Sequence, residues 1–296
     1  MRSTWIGWIV FFVALIHGAS LGISDDEAYY WVLSQRLNWG YAYHPPAVAW
    51  MIAGSRGILG WFAGDAAAVA IRFPSALILG LLSWGLLDWI QRRNHPDTIQ
   101  VWPSLLLFSF WGFFGSAWMM VPDLPLFLAW MMVFLSTQTE NRWGLFFGSL
   151  LAVQSKYSGV LIPLSSVFWL FFTGRTAGIP AVLAGLIVGV SPILWWNFQT
   201  GWESLEYQLR GRHSGNLSGV RWLRFVAIQA LLTGPLFSFF CGQRIFRWFR
   251  ALRGSGNWRS WLAGDEGLIA TFALPPLFVF GIQPVFGDFK LHWVFV

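Results

Sequence analysis

Five polar clusters interrupt an otherwise apolar chain, and each carries residue types that can do chemistry. The first, "SDDEAYY", sets Asp25, Asp26 and Glu27 side by side. Adjacent carboxylates repel one another, and near a membrane surface of lowered dielectric that repulsion raises at least one pKa, which suits a general base. The same residues also suit a plain helix start, with Ser24 or Asp25 as N-cap and acids in the first turn. Their spacing does not match the DDxxD pattern of metal-diphosphate sites.

The second cluster, "GYAYHPP", holds His44 ahead of two prolines that force an extended backbone. A lone His there is either a turn residue or a group aimed at whatever faces the turn. In "VPDLPLFLAW", Asp123 stands at the lip of an apolar segment, where a carboxylate can cap the following helix or face a ligand. "QSKYSG" places Lys156 and Tyr157 inside an apolar run; a lysine at that depth is costly unless it pairs or lines a polar cavity. The fifth, "SPILWWNFQTGWESLEYQLRGRHSG", combines Trp196 and Asn197 with Arg210 and Arg212. Aromatic faces and bidentate donors are what a sugar and a phosphate need, although interfacial aromatics also occur as simple belt residues.

The elements that must position these groups are membrane helices. Of 296 residues, 56% are hydrophobic and 11% charged, with 22 Trp and 28 Phe, far from the charged share of a soluble domain. Apolar runs suggest about nine spans, near residues 4–23, 66–90, 101–119, 122–138, 143–157, 159–173, 178–198, 222–243 and 266–285. Residues 45–62 are broken by Gly54, Arg56 and Gly57 and suit an interfacial helix in the first outer loop; 143–173 reads as two short helices meeting at "QSKYSG". The expected fold is an all-α, polytopic transmembrane bundle in one domain, residues 1–296.

Basic residues divide almost evenly between the two sides of such a bundle. The segment "RIFRWFRALRGSGNWR", with five Arg and no acid, fixes the cytoplasmic side and leaves eight of the 13 acids outside. The net charge of +6 thus reflects loops flanking spans, and nucleic acid is not an expected partner. The single cysteine, Cys241, has no partner for an intrachain disulfide. The first apolar run, with Trp5, Trp8 and His17, is expected to be a retained span in place of a cleaved signal.

Taken in order, "DEAYYW", "GYAYHPP", "IRFPSAL", "PDLPL", "SKYSG" and "SPILWWNFQTGWESLEYQLRGR" resemble the bacterial dolichyl-phosphate-mannose-protein-mannosyltransferase-like family, which includes the lipid A aminoarabinose and galacturonic acid transferases and has the GT-C membrane fold. The resemblance implies an inverting glycosyltransferase of the bacterial inner membrane with its site on the periplasmic side. Its donor would be a polyprenyl-phosphate sugar and its acceptor a lipid A or core, glycan or protein group, among membrane lipids. It maps the essential acid pair onto Asp26 and Glu27, with Asp25 beside them, and the donor phosphate and sugar contacts onto His44, Lys156, Arg212 and Asp123. Tyr157, Arg210, Trp196 and Asn197 are further candidates. No cofactor is expected, and a divalent metal is left open. Family members continue past "KLHWVFV", so the chain is expected to be C-terminally truncated. A transporter or flippase, or an inactive remnant, are the competing expectations.

Overall fold

The structure is a computed structural model that describes residues 2–64, 67–93, 119–208, 217–233, 235–254 and 257–286. These residues are mostly helical, with no strand among them. The helices are α1 (Arg2–Ser20), α2 (Asp25–Ser34), α3 (Ala47–Ala63), α4 (Ala68–Arg93), α5 (Asp123–Thr139), α6 (Arg142–Ser155), α7 (Leu161–Phe172), α8 (Ile179–Gln199), α9 (Glu203–Glu206), α10 (Gly219–Thr233), α11 (Pro235–Gly254), α12 (Trp258–Ala263) and α13 (Asp265–Phe286).

Four of them are long and apolar enough to cross a membrane: Ser3–Ser20, Ala68–Arg92, Thr176–Gln199 and Asp265–Phe286. They match the spans expected near 4–23, 66–90, 178–198 and 266–285. The segments expected to span at 122–138, 143–157 and 159–173 are helices of 17, 14 and 12 residues. Fourteen residues rise about 21 Å, short of a hydrocarbon core of about 30 Å. The run expected at 222–243 is divided between α10 and α11, because Pro235 cannot continue the hydrogen-bond ladder of the helix before it. The span expected at 101–119 lies outside the described residues but for its last one.

Close helix packing rests on small residues, as it must where lipid supplies no hydrophobic drive between helices. Helices α1 and α4 cross at Gly7 and Gly80, where a Cβ on either would stand 2.9 Å from the carbonyl oxygen of the other. The largest buried cluster joins α5, α6, α7, α8, α12 and α13 around Val133, Leu145, Leu170, Val182 and Phe272. A second cluster joins α1, α4 and α5, and a third packs α2 and α3 on Ile71 and Met120.

The bundle has two chemically different ends. At one, the indole of Trp89 donates to Gln138 Oε1 and Arg175 donates to the Gln138 carbonyl, while Trp169 donates to the Leu262 carbonyl at 2.8 Å. The Arg175 guanidinium lies over the Trp169 ring at 5.3 Å. At the other end the chain gathers the close of α1, all of α2, the starts of α4 and α5, the close of α6 and the turn after α8.

Candidate functional site

The site is organised around one buried ion pair. Arg72, in the first turns of α4, donates from Nε to Glu27 Oε1 at 2.7 Å and from Nη2 to Glu27 Oε2 at 2.6 Å. Its other donors go to the carbonyls closing α1 and its following turn: Gly18 at 2.6 Å, Leu21 at 3.0 Å and Gly22 at 2.7 Å. Every polar direction of the guanidinium is thereby used. Glu27, fully buried, also accepts from the Ser24 backbone N–H at 3.0 Å and from the Met120 N–H at 3.2 Å.

Ser24 and Glu27 form the reciprocal capping box that "S-x-x-E" favours at a helix start. Burial alone would raise the Glu27 pKa, but the Arg72 hydrogen bonds, the Ser24 N–H, the Arg72 charge and the Met120 N–H outweigh it. The carboxyl is held below its ordinary value and stays ionised. Asp25 and Asp26, the two residues before it, are exposed in the first turn of α2. The three adjacent acids therefore split into one buried structural partner of Arg72 and two that face outward.

Met120 leads, three residues on, to Asp123 at the start of α5. Its Oδ1 accepts from Lys156 Nζ at 2.8 Å, with the two side chains only 15% and 9% exposed. Lys156 sits in extended backbone, φ −155° and ψ 145°, between α6 and a 3-10 turn at Tyr157–Val160. This is the break expected at "QSKYSG". Gly159 makes it possible, since a Cβ there would lie 2.0 Å from the Ala152 carbonyl oxygen.

Tyr157 then contacts Ser204 through their hydroxyls. Ser204 belongs to the turn built on Asn197, a fully buried residue whose Oδ1 accepts from the Leu205 N–H at 3.1 Å and whose Nδ2 donates to the Ile193 carbonyl at 2.9 Å. The Asn197 carbonyl takes the Trp202 N–H at 2.7 Å, fixing a turn in which Gly201 and Trp202 both have positive φ, 70° and 67°. For a bulky residue that conformation is unfavourable, and the Asn197 bonds hold it.

From this turn the chain returns to α2 through aromatic rings. Tyr207 packs edge-on against Tyr43 with centroids 4.8 Å apart, Tyr43 lies 6.5 Å from Tyr29, and Gln208 Nε2 donates to the Tyr43 carbonyl at 2.9 Å. His44 packs its ring against Tyr30 at 5.7 Å. The Tyr29 phenol is pushed up to about 12 by burial, with smaller contributions from Tyr43 and Tyr41, and so remains neutral at ordinary pH. Glu27, Met120, Asp123, Lys156, Tyr157, Ser204, Tyr207, Tyr43 and Tyr29 thus close a ring of contacts and chain neighbours at one end of the bundle.

Of the residues singled out by sequence, the ring contains Glu27, Asp123, Lys156 and Tyr157. His44 and Asn197 adjoin it, as do Asp25 and Asp26 on α2. Trp196 is buried, and Gly40 of the α2–α3 loop lies against its ring, 3.0 Å from where a Cβ would stand; the exposed indoles nearby are Trp195 and Trp202. Arg210 and Arg212 lie outside the described residues. Sequence reasoning left Arg72 without a role, although an arginine within the apolar run "AVAIRFPSALIL" is itself a signal. Ser204 and Tyr207 offer no comparable signal, because their part depends on how the turn after α8 folds back.

Among the described residues no three or more His, Cys, Asp and Glu side chains gather as a metal site would require. No family profile matches the chain, and no solved structure does. The chain is 24% identical over 304 aligned positions to lipid A galacturonosyltransferase RgtD of Rhizobium johnstonii, an alignment that takes in 97% of this chain and 61% of that protein. It therefore spans about three fifths of the length of the curated relative it matches. That likeness, in a chain with four helices able to cross a membrane, supports a relationship to the membrane glycosyltransferases.

Proposed function

We propose that this chain is the catalytic part of a membrane glycosyltransferase that moves a sugar from a polyprenyl phosphate to an envelope acceptor, with inversion at the anomeric carbon. The observation that carries the reading is the division of the acid cluster. Glu27 is saturated by donors and fixes α2, whereas Asp26, one residue before it, is open to solvent on a helix start that cannot shift without breaking the clasp.

In the reaction the acceptor hydroxyl oxygen bonds to the anomeric carbon as the bond from that carbon to the phosphate oxygen breaks. Asp26 takes the hydroxyl proton, and the lipid phosphate leaves with the bonding electron pair. Lys156 offers the departing phosphate a fixed ammonium; Asp123 engages one of its three N–H donors and sets its direction. Arg212 and His44 are assigned to the same phosphate, and Tyr157 and Asn197 to holding the wall of the site. Glu27 acts by positioning Asp26, and Asp25 is the alternative base. Lipid A as the acceptor and a uronic acid as the sugar are the choices that the likeness to a lipid A galacturonosyltransferase supports. The site is assigned to the periplasmic face of the inner membrane, opposite the arginine-rich segment.

Transfer of a radiolabelled sugar from a polyprenyl phosphate to a lipid A precursor, by the purified chain in lipid vesicles, tests this directly. Label in the acceptor is the expected result. Transfer from a nucleotide sugar alone, or flux of the intact donor across the vesicle without transfer, would overturn it.

A further inference from the structure

Helix α11 presents a face that suits neither water nor hydrocarbon. Its inward side carries Trp248, which is buried, with Cys241, Ile245 and Leu252 half-buried beside it. Its outward side interleaves Phe246 and Phe249, 62% and 54% exposed, with the exposed Arg247, Arg250 and Arg253. Among the described residues none of these three arginines has an acidic partner. The Arg250 guanidinium lies 5.4 Å from the Phe246 ring centre, so cation and aromatic share one patch. A water-facing surface has no use for two phenylalanines at that exposure, and a surface in hydrocarbon would not carry three arginines with no acidic partner among the described residues.

The depth of this patch is fixed by a second observation. Glu266, in the first turn of the membrane-length helix α13, pairs with Arg244 and accepts from the Trp248 indole N–H at 2.5 Å. The basic half of α11 is thus tied to the end of a span, the level at which lipid headgroups begin. Arg259 on α12, with its guanidinium over Trp258 at 5.5 Å, adds a further exposed cation on the same side of the chain's span.

We infer that the outward face of α11 is a binding surface for anionic phospholipid headgroups, with Arg247, Arg250 and Arg253 donating to phosphate oxygens and Phe246 and Phe249 seated at the acyl boundary. Charge complementarity selects this occupant, since three guanidiniums beside a membrane, with no acidic partner among the described residues, meet phosphate as the most abundant anion. The surface lies at the opposite end of the bundle from Asp26 and Lys156, and it is independent of the reaction proposed for them.

The test is native mass spectrometry of the full chain released from detergent containing equal phosphatidylglycerol and phosphatidylcholine. Retention of phosphatidylglycerol in preference, by about fivefold or more, is expected. The Arg247→Gln/Arg250→Gln/Arg253→Gln variant should lose most of that preference. Equal retention by the unaltered chain, or an undiminished preference in the folded variant, would overturn the inference. A second reading avoids altering the arginines: a nitroxide on Gln243→Cys in a Cys241→Ser background, in phosphatidylglycerol vesicles, should sit at headgroup depth. A label reporting bulk water or mid-bilayer would likewise overturn it.

Discussion

Arg72 and Glu27, 45 residues apart, form a two-pronged ion pair at 2.7 and 2.6 Å in which both side chains are buried. The pair ties three helices together: Arg72 belongs to α4, Glu27 to α2, and the remaining guanidinium donors close the end of α1. Removing one partner leaves an uncompensated buried charge.

Arg72→Ala and Glu27→Ala should each destabilise the chain by about 3–5 kcal/mol. Replacing both, as Glu27→Gln with Arg72→Met, should cost less than either, because no charge is then stranded. Thermal unfolding of the purified variants checks the order; additive losses in the double variant would contradict the clasp.

The Glu27 carboxyl is held below its ordinary value, so its contribution to stability has a definite sign. It is fully present above the ordinary carboxylate pKa and is lost as pH falls through the lowered value. Acid titration should therefore release α2 only below the usual carboxylate range. In Glu27→Gln that acid transition should shrink, as followed by protease access to the α1–α2 turn; an unchanged transition would place the titrating group elsewhere.

Lys156→Ala should raise KM for the donor and lower kcat, about ten- to hundredfold in kcat/KM, with KM for the acceptor unchanged. Asp123→Asn should give a milder form of the same defect, since it loosens the ammonium without removing it. Steady-state kinetics with each substrate varied separately reads this, and a defect confined to the acceptor would contradict the phosphate role.

Gly159→Ala should fail locally. Its Cβ would stand 2.0 Å from the Ala152 carbonyl, so the chain must open at the turn that places Lys156 and Tyr157. The expected outcome is loss of transfer together with a lowered Tm, whereas Gly242→Ala or Gly219→Ala, with nothing near either Cβ and no left-handed backbone, should leave transfer intact.

Much of this organisation was legible in the sequence, for identifiable reasons. Four long apolar runs became membrane-length helices because length and hydropathy alone set that property. The "QSKYSG" break was readable because a lysine and a glycine in an apolar run are both exceptional. A helix start was readable, with Ser24 or Asp25 as its cap, yet not that Ser24 caps it and that Glu27 is turned inward onto a cation 45 residues away. Spacing reports which acids are adjacent; only the path of α4 decides which is buried. The count of about nine spans took apolar runs outside the interfacial stretch 45–62 as crossings; length and composition support four of them, and the helices of 12 to 17 residues fall short of that length. Trp196, open between a belt residue and a stacking face in the sequence, is buried with Gly40 against its ring, which spacing does not report.

The central claim is that Asp26 is the base of a sugar transfer. Its most direct test is mass spectrometry of envelope glycolipids from cells lacking the native gene and expressing either this chain or its Asp26→Asn form, with both proteins verified in the membrane. The account predicts a sugar-sized mass increase, of pentose, hexose or uronate size, with the unaltered chain and none with Asp26→Asn. The same increase from both would contradict the role of Asp26, and no increase from either would contradict the transfer itself.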